Sequence, residues 1–184
     1  MKISELGIDK TWTLFLDRDG VINHQLPNDY VKTLAEFKII DGVPEAIAQF
    51  STMFGKIFIV TNQQGIHRGI MTVEQLQILH DYLTDVIRMN GGRIDKIYFA
   101  PQLATESGYY RKPGVGMGLH AKRDYPEIDF EKSLMIGDSE TDIEFGTKLG
   151  MKTVMLTKGR NISSKSDYIF ENLRDVSNAF NKNL

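Results

Sequence analysis

Short apolar runs recur along the chain, each closed by a polar signal and followed by a longer segment whose apolar residues fall at helical spacing. That alternation predicts repeated strand-helix units around a parallel sheet. Five strands are expected, at 12–16, 56–60, 96–100, 133–136 and 153–156, with a weaker candidate at 168–170. The best-marked helix opens at Thr72, whose hydroxyl and the Gln75 side chain form a capping box. Leu76, Leu79, Leu83 and Ile87 make its apolar stripe, and Gly91-Gly92 stops it.

The pattern also bounds what the molecule can be. A chain of 184 residues suits one domain, spanning 1–184, and contains no repeat or linker. The segment 22–39 reads as a small flap beside the end of the first strand, too short for a cap domain. No apolar run approaches the roughly 20 residues of a membrane span, and MKISELGIDKTW lacks the features of a secretory signal, so a cytoplasmic protein is expected.

Charge and composition narrow the chemistry. The formal charge is -2 with lysine and arginine spread along the chain, which leaves no basic stripe for nucleic acid. There is no cysteine, so disulfides, thiolate metal sites and cysteine nucleophiles are excluded together. His24, His67, His80 and His120 show no zinc-ligand spacing, although His67, beside Arg68, is within reach of a substrate at the second strand's end. Any metal should therefore be held by oxygen.

In an open parallel sheet functional groups belong at the carboxyl ends of the strands. Four expected strands end in polar signals there: Asp17 and Asp19; Thr61 and Asn62; Arg111 and Lys112 after the third strand's loop; Asp138 with Asp142. Singly, each is explained by turn and cap preferences, since Asp-x-Asp-Gly is a common turn and Gly-Asp caps helices. Unrelated turns, however, have no reason to bring these types to successive strand ends. Four carboxylates in one crevice repel unless a hard cation sits among them, and magnesium suits an all-oxygen site that takes a phosphate. Asp17 can attack phosphorus to form an aspartyl-phosphate, and Asp19, two residues on, returns to the same side to donate and later accept a proton. Thr61 offers a hydroxyl to phosphoryl oxygens, Lys112 a point charge, and Gly65 close backbone approach.

At these residues the chain resembles the haloacid dehalogenase (HAD) superfamily, whose four motifs would be 15–23 (Phe-Leu-Asp-Arg-Asp-Gly-Val-Ile-Asn), Thr61-Asn62-Gln63, Lys112-Pro113 and 137–142 (Gly-Asp-Ser-Glu-Thr-Asp). The wording of the first three stretches is similar to the capless branch that holds histidinol-phosphatases and D-glycero-D-manno-heptose-1,7-bisphosphate phosphatases. The resemblance implies a three-layer, Rossmann-like α/β fold without a large cap. It also implies a phosphatase with Asp17 as nucleophile and Asp19 as acid/base. Magnesium would be held by Asp17, the Asp19 carbonyl and Asp138, with Asp142 in support, and phosphate by Thr61, Asn62 and Lys112. Arg111 carries over as a substrate-binding residue, its planar fork suited to a second phosphate or a hydroxyl pair.

The chain departs from that branch at one point. Relatives commonly carry a zinc-binding loop of cysteines and a histidine before Arg-Lys-Pro, whereas 100–110 here contains neither, so no zinc is expected and Tyr109 and Tyr110 are candidates to order the loop against the flap. The expected substrate is a small phosphorylated metabolite, a heptose bisphosphate or histidinol phosphate, handled by a monomer. A nucleic-acid 3'-phosphatase and a non-catalytic binding module stand as alternatives.

Overall fold

The computed structural model describes residues 2–26, 29–103, 105 and 108–181. The ends of the expected domain (Met1 and 182–184), Pro27 and Asn28 of the flap, and Ala104, Glu106 and Ser107 of the cysteine-free loop lie outside the described residues. Six parallel strands form one sheet in the order β3-β2-β1-β4-β5-β6: β1 is Thr13–Leu16, β2 Lys56–Asn62, β3 Lys96–Ala100, β4 Ser133–Gly137, β5 Lys152–Leu156 and β6 Tyr168–Phe170. The helices between them are α1 Val43–Met53, α2 Val73–Met89, α3 Gly116–Asp124, α4 Glu140–Leu149 and α5 Leu173–Asn181. The weak sixth strand thus exists, as an edge.

The strands read as continuous apolar runs because both faces are covered. Side chains alternate across the pleat, so successive residues sort into two cores. Leu14, Leu16, Ile57, Ile59, Leu134 and Ile136 join α1, α2 and α5, while Phe15, Phe58, Val60 and Met135 join α3 and α4. Three layers follow, helices on both faces of a parallel sheet. The expected stripe of α2 is the face it buries, with Thr72 Oγ1 accepting from the Gln75 N–H at 3.2 Å. Gly91, at φ +81°, turns the chain after the helix as the left-handed region allows.

Four strand boundaries differ from expectation, and one matters; β4 gains Gly137 and β5 gains Lys152. Trp12 precedes β1; its carbonyl accepts from the Gly55 N–H at 2.9 Å instead of entering the ladder. β2 runs two residues beyond Val60 because Thr61 and Asn62 pair with Phe99 and Ala100, so both sit in the rigid ladder rather than in a turn. The described flap is closed at its base by His24 N–H to Lys38 O (2.8 Å) and Ile40 N–H to Ile22 O (2.9 Å), and Val31 and Phe37 anchor it in the core. The chain runs β1, β2, β3 outward in one direction and then β4, β5, β6 in the other, which puts the topological switch point between β1 and β4.

Candidate active site

A crevice of about 310 Å³ opens at the carboxyl ends of the strands, and its lining includes all eight residues singled out from sequence: Asp17, Asp19, Thr61, Asn62, Arg111, Lys112, Asp138 and Asp142. Lys112 is its centre. Buried on every side, the ammonium contacts Asp17 Oδ1 at 2.7 Å and Asp142 Oδ1 at 2.6 Å and donates to the Val60 carbonyl at 2.6 Å. Burial works against that charge, but Asp142 and Asp17 outweigh it and hold the lysine pKa above its ordinary value. Asn62 clamps the lysine from behind: its Oδ1 accepts from the Lys112 N–H at 3.0 Å, and its Nδ2 donates to the Lys112 carbonyl at 3.1 Å. Since Asn62 belongs to β2, this pair fixes a loop residue to the sheet.

Asp17 follows β1 directly, its N–H donating to the Ile136 carbonyl at 3.0 Å. Burial pushes its carboxyl up to about 7; Lys112 opposes this, while Asp142, Asp138 and Asp19 add to it. Such a site is short of positive charge. Carboxylate oxygens of Asp17, Asp138 and Asp142 lie within 4.8 Å of one another, the spacing of a hard-cation site. Asp142, though, is engaged by Lys112 and accepts from Ser139 Oγ (2.6 Å) and the Ser139 N–H (3.1 Å), which leaves Asp17 and Asp138 as the carboxylates best free to hold a metal. Asp138 carries a counter-ion, Lys158 Nζ, at 2.5 Å.

Asp19 is bound differently. Its Oδ1 accepts from Asn23 Nδ2 at 2.9 Å and its Oδ2 from Gln63 Nε2 at 2.7 Å, with Arg18 Nη2 2.9 Å from both oxygens. Burial pushes this carboxyl up, but the Arg18 charge and the hydrogen bonds from Asn23, Arg18 and Gln63 prevail and hold it below the ordinary carboxylate range. Gln63 also donates to Thr61 Oγ1 at 2.9 Å, tying the acid/base candidate to the phosphate-binding candidate.

Two glycines permit this packing. Gly20, at φ +89°, lies so close to Asp138 that a Cβ there would fall on its Oδ2 and 2.7 Å from Lys158 Nζ. At Gly137 a Cβ would fall on the Asp142 side chain. The glycines of Asp-Arg-Asp-Gly and Gly-Asp are therefore required by tertiary approach as well as by turns.

Several expectations are revised. Gly65 admits the Tyr30 ring of the flap, 3.1 Å from where its Cβ would stand. His67 does not line the crevice. Tyr109 is exposed, and Tyr110 packs with the α3/α4 core, its hydroxyl 2.8 Å from His120 Nδ1, so Tyr110 is held against α3 rather than the flap. Sequence reasoning missed Arg18, Asn23, Gln63, Lys158 and Arg160. Arg18, Asn23 and Gln63 stand inside the motifs, where their near-total burial could not be read. Nothing in sequence marked Lys158 or Arg160, which reach Asp138 from the segment after β5.

Comparisons with known proteins show the family of the chain. A sequence model of the HAD-hydrolase-like family matches residues 109–176. The D-glycero-alpha-D-manno-heptose-1,7-bisphosphate 7-phosphatase of Campylobacter jejuni is 36% identical over 171 residues, covering 93% of this chain and 96% of that protein. The D-glycero-beta-D-manno-heptose-1,7-bisphosphate 7-phosphatase of Photorhabdus laumondii is 36% identical over 179 residues, covering 90% and 93%. Among solved structures, the D,D-heptose 1,7-bisphosphate phosphatase of B. bronchiseptica, complexed with magnesium and phosphate, superposes with a TM-score of 0.82 at 25% identity, covering 94% of this chain and 99% of that one. The chain belongs to the HAD superfamily of phosphatases, in the branch of the heptose-1,7-bisphosphate 7-phosphatases.

Proposed function

We propose that this enzyme removes the 7-phosphate from a D-glycero-D-manno-heptose 1,7-bisphosphate, with Asp17 as nucleophile and magnesium as its metal, acting as a cytoplasmic monomer. The observation that carries the reading is the Asp17–Lys112–Asp142 line at 2.7 and 2.6 Å, bordered by Asp138, in the crevice at the switch point. The names of the relatives supply the substrate class; their two anomers make both arms of the assay necessary.

Asp17 and Asp138, with the Asp19 carbonyl, would hold magnesium, which when bound offsets the negative charge of the carboxylates and of the phosphoryl group. Lys112 then neutralises a phosphoryl oxygen beside Asp17, and Thr61 presents its hydroxyl to another. Asp17 attacks phosphorus; the phosphorus–oxygen bond to the sugar breaks, and the sugar oxygen takes a proton from Asp19. Water, losing its proton to Asp19, then cleaves the aspartyl-phosphate. In the free enzyme Asp19 is ionised, the form required for this second step. Its role as acid in the first step needs a proton acquired as the anionic substrate arrives.

The test is phosphate release with magnesium from both heptose bisphosphate anomers, histidinol phosphate, other sugar phosphates and 3'-phosphorylated oligonucleotides. Asp17→Asn should lower turnover by on the order of 10³-fold or more. Wild-type turnover in Asp17→Asn would disprove the covalent route, and preference for histidinol phosphate or oligonucleotides would redirect the substrate.

A further inference from the structure

Arg18 is the largest fully buried side chain among the described residues, 1% exposed, and the chemistry proposed for the crevice gives it no part. Burying a guanidinium is costly, and a buried ion pair is weak evidence of stabilisation. Its partners are more informative. Nη2 lies 2.9 Å from each oxygen of Asp19, with Nε 3.3 Å from Oδ1. On the other side Nη1 lies 3.2 Å from Nε2 of His80, a residue of α2 that is itself 3% exposed. The Phe37 ring of the flap lies against the guanidinium, its centroid 5.7 Å from Cζ, and stands edge-on to Tyr82 of α2 at 6.0 Å. A helix and the flap thus hold the arginine, and the arginine holds the carboxyl next to it in the chain.

That carboxyl has to be held. The terminal torsion of an aspartate is broad, yet an acid that protonates a leaving oxygen must present one of its own oxygens within hydrogen-bond reach. Asn23 and Gln63 each donate to a single oxygen of Asp19, at 2.9 and 2.7 Å, whereas Arg18 spans both. A planar group on both oxygens fixes the plane of the carboxyl as well as its place. His80 completes the hold. Arginine can only donate, so the ring nitrogen facing it accepts, and among the described residues Nη1 has no other hydrogen-bond partner. Without that acceptor a buried donor would be left unpaired and the guanidinium free to turn.

We propose that Arg18, braced from α2 by His80, is a positioning residue that sets the carboxyl of Asp19 for proton transfer to the departing sugar oxygen. This rests on the reading of Asp19 as the acid. Neither Arg18 nor His80 touches the substrate; both act through Asp19, and the orientation of the acid is inherited from a helix on the far side of the arginine.

The test measures kcat/KM, which reports the steps through cleavage of the substrate's phosphorus–oxygen bond, in the full-length enzyme with magnesium. Heptose 1,7-bisphosphate has a leaving oxygen that needs a proton; p-nitrophenyl phosphate has one that leaves without it. Asp19→Asn sets the scale and should lose on the order of 10³-fold on the sugar phosphate and far less on the aryl phosphate. Arg18→Met should follow the same pattern, about 50-fold against about 3-fold or less, and Arg18→Lys, which keeps the charge but not the planar fork, should recover little. His80→Leu should lose about five-fold on the sugar phosphate alone, and His80→Gln, which keeps an acceptor for Nη1, should recover most of that. The His80 variants leave the Arg18–Asp19 pair in place, so they carry the test even where Arg18→Met does not fold. Equal losses on both substrates would assign the pair to structure. Unchanged rates on both substrates, a gain on the sugar phosphate, or full rescue by Arg18→Lys would overturn the positioning role while Asp19→Asn kept its pattern. If Asp19→Asn itself lost equally on both, the acid reading would fall, and the positioning role with it.

Discussion

Gly20 shows how much a single residue determines at this site. Its φ of +89° belongs to the left-handed region, and the space where a Cβ would stand is taken by Asp138 Oδ2 and Lys158 Nζ. Alanine there meets both a backbone penalty and an overlap, and relief requires moving a proposed metal ligand. Gly20→Ala should therefore destabilise the protein by about 2 kcal/mol or more in urea unfolding and raise the magnesium concentration needed for half-maximal turnover. Normal stability with normal magnesium dependence would show that Asp138 tolerates displacement. Lys112 makes the complementary point: the lysine-proline motif is evident in sequence, but its place in the crevice is set by Asn62, which holds its backbone, and by Asp142, which pairs its ammonium.

Between elements, the most telling contact joins α2 to the turn after β1. His80 is buried in the apolar stripe of α2, and its Nε2 lies 3.2 Å from Arg18 Nη1. Arginine can only donate, so this nitrogen accepts and the ring is neutral. Burial, then the Arg18 charge, depress its pKa from 6.5 to about 3, with Asp19 opposing. Above pH 6.5 both folded and unfolded chains carry a neutral imidazole. As pH falls below 6.5, the unfolded chain takes up a proton that the folded chain refuses, so stability is lost toward pH 3. Asp17, raised to about 7, acts in the opposite sense over the same window in metal-free protein, since there the folded chain gains the proton. A comparison with His80→Gln, which keeps an acceptor for Arg18, isolates the histidine. Between pH 6.5 and 5 metal-free wild type should lose about 2 kcal/mol more than His80→Gln, measured by urea midpoints. Parallel curves would mean that His80 titrates normally.

For the molecule as a whole, folding is expected not to depend on a metal. Two apolar cores flank the sheet, and the loop before Arg111 contains no cysteine or histidine. EDTA should accordingly stop turnover while leaving the circular dichroism spectrum native, magnesium should restore activity, and the zinc chelator 1,10-phenanthroline should change neither. Because magnesium favours the folded chain, it should add about 2.7 kcal/mol at a hundred times its Kd, read as a rise in Tm. Loss of the native spectrum on chelation would reveal a structural metal. No helix among the described residues is long and apolar enough to cross a membrane.

What the sequence by itself determined is the part of this protein governed by local rules: the six apolar runs, the capping box at Thr72, and the polar residues that end each strand. Even the two cores were latent there, since alternate side chains of a strand must face opposite ways. The general rule for open sheets then points to the carboxyl ends of the strands, where these polar residues gather. Only the tertiary structure decided how its groups are charged and aimed. That Asp17 is driven up to about 7 while Asp19, two residues away, is held down follows from what each meets after folding: a buried carboxylate cluster in one case, Arg18, Asn23 and Gln63 in the other. Asn62 lies beyond the expected end of the second strand, yet pairing with β3 draws it into the ladder, and nothing in the sequence distinguishes Arg160, which the turn after β5 brings to Asp138. Burial and through-space charge depend on residues far apart in the chain, and periodicity carries no record of them.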